Sequence, residues 1–101
     1  MSDALQPFPD TVLVKLTGEV FAPPQGQGLA PEAVARVARE LAGLRGRGLR
    51  LGVSVGGGNV MRGRQSETLD RISADQIGML GTALNGLALR AALEAEGVAA
   101  E

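Results

Sequence analysis

A run of three glycines directly after an apolar segment is the feature that most constrains the fold of this chain. Residues 49–55 are apolar enough to predict a buried strand, and Gly56, Gly57 and Gly58 follow without a break. Because glycine has no Cβ atom, backbone N–H groups at the end of this strand can approach a bulky anion closely. Arg62 adds a planar, permanent charge suited to phosphate oxygens. The segment therefore predicts phosphate binding at the mouth of an α/β sheet.

The first half of the chain has the pattern of one strand followed by one helix. Residues 12–16 predict a strand whose apolar residues on both faces favour a sheet covered by helices on both sides. Residues 17–30 predict a loop, and Pro31 suits the first position of a helix. The helical stripe that follows ends near Gly46 and Gly48, and it consists of Val34, Val37, Ala38, Leu41 and Leu44.

Strand, helix and strand in this order predict a βαβ unit with parallel strands and a right-handed crossover. Parallel strands deliver their carboxyl ends to the same edge of a sheet, where open α/β sheets bind ligands. Residues 15–19 and the triple glycine should therefore meet at that edge. Lys15 is the sole lysine among ten basic residues, and its compact ammonium fits a crowded phosphate site. By itself, Lys15 is equally well explained as the solvated end of an edge strand.

A second, longer helix is predicted after residue 72. Ser73 and Gln76 have the spacing of a capping box, with Ser73 as N-cap, which places Asp75 in the first turn. The helix is apolar over more than one face, so more than one neighbour is expected to bury it. Its main stripe consists of Ile77, Leu80, Leu84, Leu87, Ala88 and Ala91, and Met79, Ala83, Leu89 and Leu93 widen it.

Composition limits the function. The chain has 101 residues, enough for one small domain, and a net charge of −1 without a basic tract, which disfavours nucleic acid as a partner. It has no cysteine and no histidine, so thiolate and imidazole chemistry are excluded. A signal peptide and a membrane span are not expected, because the start lacks a basic region before an apolar stretch and Asn85 and Arg90 interrupt the apolar helix. A cytoplasmic protein is the expectation.

Three segments in a fixed order resemble the N-terminal part of bacterial uridylate (UMP) kinases, within the amino acid kinase superfamily. They are Lys-Leu-Thr-Gly-Glu at 15–19, Gly-Gly-Gly-Asn-Val-Met-Arg-Gly at 56–63, and Asp-Gln-Ile-Gly-Met-Leu at 75–80 followed by Asn-Gly-Leu-Ala-Leu-Arg at 85–90. The resemblance implies a three-layer α/β/α fold with a mainly parallel sheet, of which this chain is the N-terminal portion. Residues 1–11 are expected to be a flexible terminus.

The resemblance also implies a site for ATP and UMP, with Mg²⁺ accompanying ATP and no metal ligand among these residues. Lys15 and Arg62 would be catalytic, stabilising charge on the transferring phosphoryl group. Thr17, Gly18 and Gly58 would bind ATP together with those two residues, and Gly57 and Asp75 would bind UMP. In-line transfer of the γ-phosphoryl group to UMP needs positioning and charge neutralisation rather than a histidine base.

The family is typically hexameric and responds to GTP. Arg90 matches a position tied to that regulation, but Ala91 stands where an acidic residue usually follows, which argues against GTP control here. The family's chain is more than twice as long, and a sheet of two strands with open edges buries too little to be comfortably stable. We therefore expect the chain to be inactive alone and to need the remainder of a kinase or further copies.

Two other interpretations stay open from the sequence. The wide apolar surface of residues 77–93 is also typical of a non-catalytic fragment that associates with itself or with a kinase. Alternatively, the chain belongs to a different amino acid kinase that acts on a carboxylate or a carbamate. Asn59, Arg62 and Asp75 weigh against the latter, because their combination is typical of the UMP kinase branch.

Overall fold

The computed structural model describes residues 10–60 and 68–101. Along the chain, strand β1 (Thr11–Leu16) is followed by a 3-10 helix (Gly18–Phe21), helix α1 (Pro31–Gly46), strand β2 (Arg50–Val55) and helix α2 (Arg71–Ala95). The α/β class is confirmed, and the strands start within a residue of the predicted positions. The 3-10 helix was not predicted. Of the terminus expected to be flexible, residues 1–9 lie outside the described residues, whereas Thr11 already belongs to β1.

The two strands pair in parallel, as the βαβ pattern predicts. Thr11 lies opposite Arg50 and Leu16 opposite Val55, and Gly56 N extends the ladder by donating to Leu16 O at 3.0 Å. Each strand alternates between exposed and half-buried residues. This alternation is typical of a sheet with one covered face, not of one covered on both.

Both helices pack on the same face of the sheet. Phe21 at the end of the 3-10 helix is fully buried between them, which is worth about 1.5–3 kcal/mol relative to exposure. On the other sheet face, Leu13 remains 74% exposed. The described residues thus form two layers of the predicted three-layer arrangement. The core consists of Phe21, Val34, Val37, Ala38, Leu41, Leu89 and Leu93, with Val14, Leu16, Leu51, Val53 and Val55 packed against it.

The ends of α1 follow the sequence signals closely. Pro31 occupies the first turn, where a missing N–H costs no helical hydrogen bond. At the other end, Gly48 adopts φ of 87° and its N–H donates to Arg45 O at 3.0 Å. A left-handed glycine just past the last turn is the common way to stop a helix, because no Cβ atom opposes that conformation.

The N-terminus of α2 differs from the prediction. Asp70, not Ser73, is the N-cap: its Oδ2 accepts from Ser73 N at 3.0 Å, and the helix starts at Arg71. Asp75 therefore lies in the second turn rather than the first. Hydrogen bonds from the Ser73 hydroxyl and then from the Ser73 backbone N–H lower the pKa of the exposed Asp70 carboxyl. The helix starts earlier because a carboxylate three residues before Ser73 caps it equally well.

The expected burial of α2 on several faces is not found among the described residues. The helix buries a narrow face made of Ala74, Gly81, Asn85, Leu89 and Leu93. Much of the predicted apolar stripe is exposed instead, with Leu80 at 71% and Leu87 at 65%. Gly81 allows the segment after β2 to approach this face of α2 closely, and the helix therefore turns Leu80 and Leu87 towards solvent. In the part of the chain that is described, no helix is long and apolar enough to cross a membrane.

Candidate phosphate-binding site

The carboxyl ends of the two strands form one cleft. Most of the residues predicted to bind ATP line it, namely Lys15, Thr17, Gly18 and Gly58, together with Leu16, Glu19, Ser54, Val55 and Gly56. The cleft exists because the parallel register brings Leu16 and Val55 side by side, so that both strands end at the same level of the sheet. The predicted convergence of the two motifs is thus observed. It places an exposed ammonium group, a hydroxyl group and glycine backbone around one opening.

Lys15 stands on the exposed face of the sheet, directly opposite Ser54 in the strand register. Both residues line the cleft, so an anion held there would meet the lysine ammonium group and a hydroxyl donor on the same sheet face. Ser54 was not predicted as a site residue from the sequence. The available signal was a hydroxyl residue within the apolar part of the strand, immediately before the last strand residue.

Close chain packing explains why two of these positions carry glycine. A Cβ atom on Gly18 would lie 2.6 Å from Gly58 N and 2.6 Å from Asn59 Oδ1. A Cβ atom on Gly57 would overlap Gly78 O and lie 2.7 Å from Thr82 N. Both positions therefore need glycine so that neighbouring segments of the chain can touch, whether or not a ligand is bound.

The segment after β2, residues 56–60, forms what we call the glycine turn. Val60 N donates to Gly57 O at 3.0 Å and closes a four-residue turn. The turn packs against α2, where a Cβ atom on Gly81 would lie 2.8 Å from Val60 Cβ. The backbone after β2 is thus wedged between the end of β1 and the middle of α2.

Asp75, predicted to bind UMP, does not line the cleft. It lies three and seven residues before Gly78 and Thr82, so all three share one side of α2, and the latter two flank Gly57. The carboxylate is largely exposed and pairs with Arg71, with Nε and Oδ2 3.5 Å apart. Gly57 thus packs against the same side of α2 that carries Asp75, one and two helical turns further along. Arg62, assigned to catalysis and ATP binding, lies outside the described residues.

Two buried asparagines were missed as parts of the site. Asn59 and Asn85 are 1% and 0% exposed, and Asn85 Nδ2 donates to Asn59 Oδ1 at 2.7 Å. From the sequence, both residues were markers of resemblance, and Asn85 was also an interruption of the apolar helix. The signal that could have found them is the position of Asn85 on the buried side of an apolar helix, since a buried amide needs a polar partner.

A parallel βαβ unit whose glycine turn and lysine-bearing strand share one cleft defines a protein of the α/β class. Comparison with known proteins narrows this class. The chain belongs to the amino acid kinase family, whose model matches residues 10–101. The family resemblance predicted from the three motifs is thereby confirmed.

Curated relatives and solved structures point to one branch of that family. The chain is 50% identical over 93 residues to a uridylate kinase of Azorhizobium caulinodans and 48% identical over 88 residues to one of Deinococcus radiodurans. These matches cover 90% and 85% of this chain, but only 39% and 36% of the relatives. The chain thus spans well under half the length of the proteins it matches.

The fold is similar to that of crystallised UMP kinases. The structure from Bacillus anthracis superposes with a TM-score of 0.76 at 35% identity, covering 86% of this chain and 36% of that one. The structure from Ureaplasma parvum gives 0.75 at 26% identity, covering 88% and 40%.

Proposed function

We propose that this chain carries part of the ATP and UMP site of a UMP kinase, which transfers the γ-phosphoryl group of Mg-ATP to UMP in cytoplasmic pyrimidine nucleotide synthesis. The observation that carries the proposal is the shared cleft of Lys15, Gly18 and Gly58 in a chain whose curated relatives are uridylate kinases. An exposed cation beside backbone N–H groups at a sheet edge suits the charge and shape of a polyphosphate.

ATP fits the cleft between the strand ends. Lys15 would neutralise charge on the transferring phosphoryl group, while Thr17 and the backbone of Gly18 and Gly58 would hold phosphate oxygens. Among residues 10–60 and 68–101, no group of three acidic or other metal-binding side chains is found. Mg²⁺ commonly takes substrate phosphates as ligands, so it would lie on the ATP phosphates and offset their charge. Arg62 keeps its proposed role from sequence alone.

UMP would lie beside the glycine turn, near the start of α2, where Asp75 is exposed. Gly57 approaches Gly78 and Thr82, and Asp75 lies about one turn before Gly78 and two turns before Thr82 on the same helix. A carboxylate at this place can accept hydrogen bonds from two ribose hydroxyl groups. ATP in the cleft and UMP near Asp75 would thus both border the glycine turn, and in-line transfer needs the two nucleotides to be held next to each other in this way.

The rest of the catalytic site would come from outside these residues. Because the matched relatives are more than twice as long, the acidic groups and the adenine pocket are assigned to their remaining length. We therefore expect this chain to bind nucleotide without producing UDP at ordinary kinase rates.

Thermal melting of the 101-residue chain with and without UMP tests the proposal. A ligand bound only to the folded state at one hundred times its dissociation constant adds about 2.7 kcal/mol of stability. UMP should therefore raise the melting temperature by several degrees, and Asp75→Ala should abolish the rise.

Glu94→Ala is the matched control for this experiment. Glu94 pairs with Arg90 at 3.7 Å near the other end of α2, and its side chain is as exposed as that of Asp75. The control therefore removes a similar ion pair and should keep the UMP-dependent rise. Absence of any rise in the unaltered chain, or an equal loss in both variants, contradicts the proposed UMP site.

A second candidate function is self-association through α2. Its outer side exposes an apolar stripe, which we call the α2 stripe, and Ile72, Met79, Leu80, Leu84 and Leu87 form it. The Arg71–Asp75 and Arg90–Glu94 pairs give each end of the stripe both charges, so a second copy would meet no net repulsion. The occupant proposed for this surface is another copy of the same chain, as in a homo-oligomer.

A further inference from the structure

The two buried asparagines form a closed pair of amide groups. Asn85 Nδ2 donates to Asn59 Oδ1 at 2.7 Å, and Asn59 Nδ2 donates back to Asn85 Oδ1 at 3.2 Å. Each amide nitrogen also reaches a backbone carbonyl: Asn59 bonds to Gly28 O and Asn85 to Gly56 O, both at 2.8 Å. All four amide hydrogens are therefore used, and both side-chain oxygens accept.

The pair connects three segments that are distant in sequence. Asn59 lies in the glycine turn, Asn85 in the middle of α2, and Gly28 in the loop between the 3-10 helix and α1. A backbone hydrogen bond strengthens the connection between the glycine turn and the loop, because Gly28 N donates to Asn59 O at 2.8 Å. The glycine turn is thus fixed from both sides, by α2 and by the loop.

The pair also touches the ATP side of the cleft. The space where a Cβ atom of Gly18 would stand is occupied by Asn59 Oδ1 and Gly58 N. Any rotation of the Asn59 side chain would therefore change the contact between the two strand ends that line the cleft. The position of Gly58 relative to Gly18 depends on this amide.

Stability alone does not require amides here. Burying an amide is costly and its hydrogen bonds only offset that cost, so well-packed apolar side chains can stabilise a core equally. What a satisfied amide pair adds is direction: each bond fixes the angle as well as the distance between two backbones. We therefore expect the two amides to hold the glycine turn in one defined geometry.

We propose that Asn59 and Asn85 are positioning residues of the nucleotide site, which hold the glycine turn between β1 and α2 so that its backbone faces the phosphates. The inference rests on the proposed function for its ligand, but the positioning of the turn can be measured without any nucleotide. Neither residue is proposed to touch the substrate.

Asn85→Asp tests the pair with almost no change in shape. The carboxylate keeps its accepting oxygens but loses both donated bonds, to Gly56 O and to Asn59 Oδ1. Amide hydrogen exchange followed by NMR should show Gly56 and Val60 exchanging about tenfold faster or more, while α1 amides change little. UMP affinity should fall by about tenfold or more.

Leu93→Ala is the matched control, because it removes a buried side chain of the same helix that packs in the main core. It should destabilise the chain without a selective effect on Gly56 and Val60. Selective loss of protection in Asn85→Asp alone supports positioning. Wild-type exchange rates at both amides in Asn85→Asp, or equal changes in the two variants, overturn it.

A measurement on the unaltered chain covers the case in which Asn85→Asp does not fold. The side-chain amide protons of Asn59 and Asn85 should exchange with the same opening free energy as Gly56 and Val60, because pair and turn should open together. Independent opening overturns the inference. Failure of the unaltered chain to bind UMP contradicts the proposed function alone, since the exchange data are obtained without nucleotide.

Discussion

Gly57 shows how one residue can serve packing before it serves a ligand. Its backbone lies against Gly78 and Thr82 of α2, with no space for a side chain. From the sequence, the triple glycine was predicted to let an anion approach the backbone. The structure adds that α2 already occupies the side of Gly57 where a Cβ atom would point. A substitution of Gly57 therefore tests how closely the glycine turn packs against α2.

We expect Gly57→Ala to destabilise the chain by roughly 1–3 kcal/mol, because the added methyl group meets backbone atoms that cannot move separately. Gly43→Ala is the matched control. Gly43 lies within α1 with open space around its Cβ position, so alanine there should stabilise by roughly 0.5–1 kcal/mol. Chemical denaturation of both variants measures the difference. Equal effects of the two substitutions would contradict tight packing at Gly57.

Gly18→Ala provides a second prediction for single residues. Its methyl group would displace Asn59 Oδ1 and Gly58 N, so it should disturb the glycine turn from the opposite side to Gly57→Ala. We expect a loss of roughly 1–3 kcal/mol in unfolding free energy and a weaker response to UMP in thermal melts. A variant with unchanged stability would show that the two strand ends do not touch as described.

At the level of elements, the N-terminus of α2 depends on one carboxylate. Asp70 accepts hydrogen bonds from Ser73, which lower its pKa below the ordinary value of 3.8. Its folded-state pKa is therefore lower than its unfolded one, so its contribution to stability is complete above that ordinary value. The contribution is lost as the pH falls through the lowered pKa.

Asp70→Ala should lower the melting temperature at pH 7, and the difference from the unaltered chain should shrink at about pH 3. Asp70→Asn is the control, because asparagine also caps helices but does not titrate. The gap between the alanine and asparagine variants should stay constant across this range. A gap between the unaltered chain and the alanine variant that stays unchanged at low pH would contradict a contribution of the Asp70 charge to the cap.

For the whole molecule, the distribution of apolar surface is the property to test. The α2 stripe and Leu13 on the open sheet face are exposed, while the buried core lies between the two helices and one face of the sheet. Exposed apolar stripes of this kind commonly mark contacts between proteins. The two described layers thus leave surfaces that a partner can cover.

Sedimentation of the chain should show association at micromolar concentration, and Leu80→Glu should weaken it by about tenfold or more by placing a charge in the α2 stripe. Gln25→Glu adds the same charge at an exposed position in the loop before α1, outside the α2 stripe, and should have a smaller effect. A chain that stays monomeric and well folded at these concentrations would contradict self-association.

How far the sequence predicts the molecule differs from part to part. The order of elements, the parallel strands, the glycine stop of α1 and the convergence of Lys15 with the triple glycine follow from local pattern and chain connectivity. The N-cap of α2 was misplaced, because Asp70 and Ser73 both have capping side chains and only the fold chooses between them. The roles assigned to Lys15, Thr17, Asp75 and Arg62 stay predictions.

Sequence by itself determined the class and family of this protein, since periodicity, glycine placement and motif order are local properties of the chain. Tertiary structure alone decided which face of α2 is buried, because that depends on how closely Gly57 and Val60 approach Gly78 and Gly81. It also decided that Asn59 and Asn85 meet. Their 26-residue separation is spanned by a pairing that exists only when the glycine turn is seated on the helix, and no local pattern encodes such a contact.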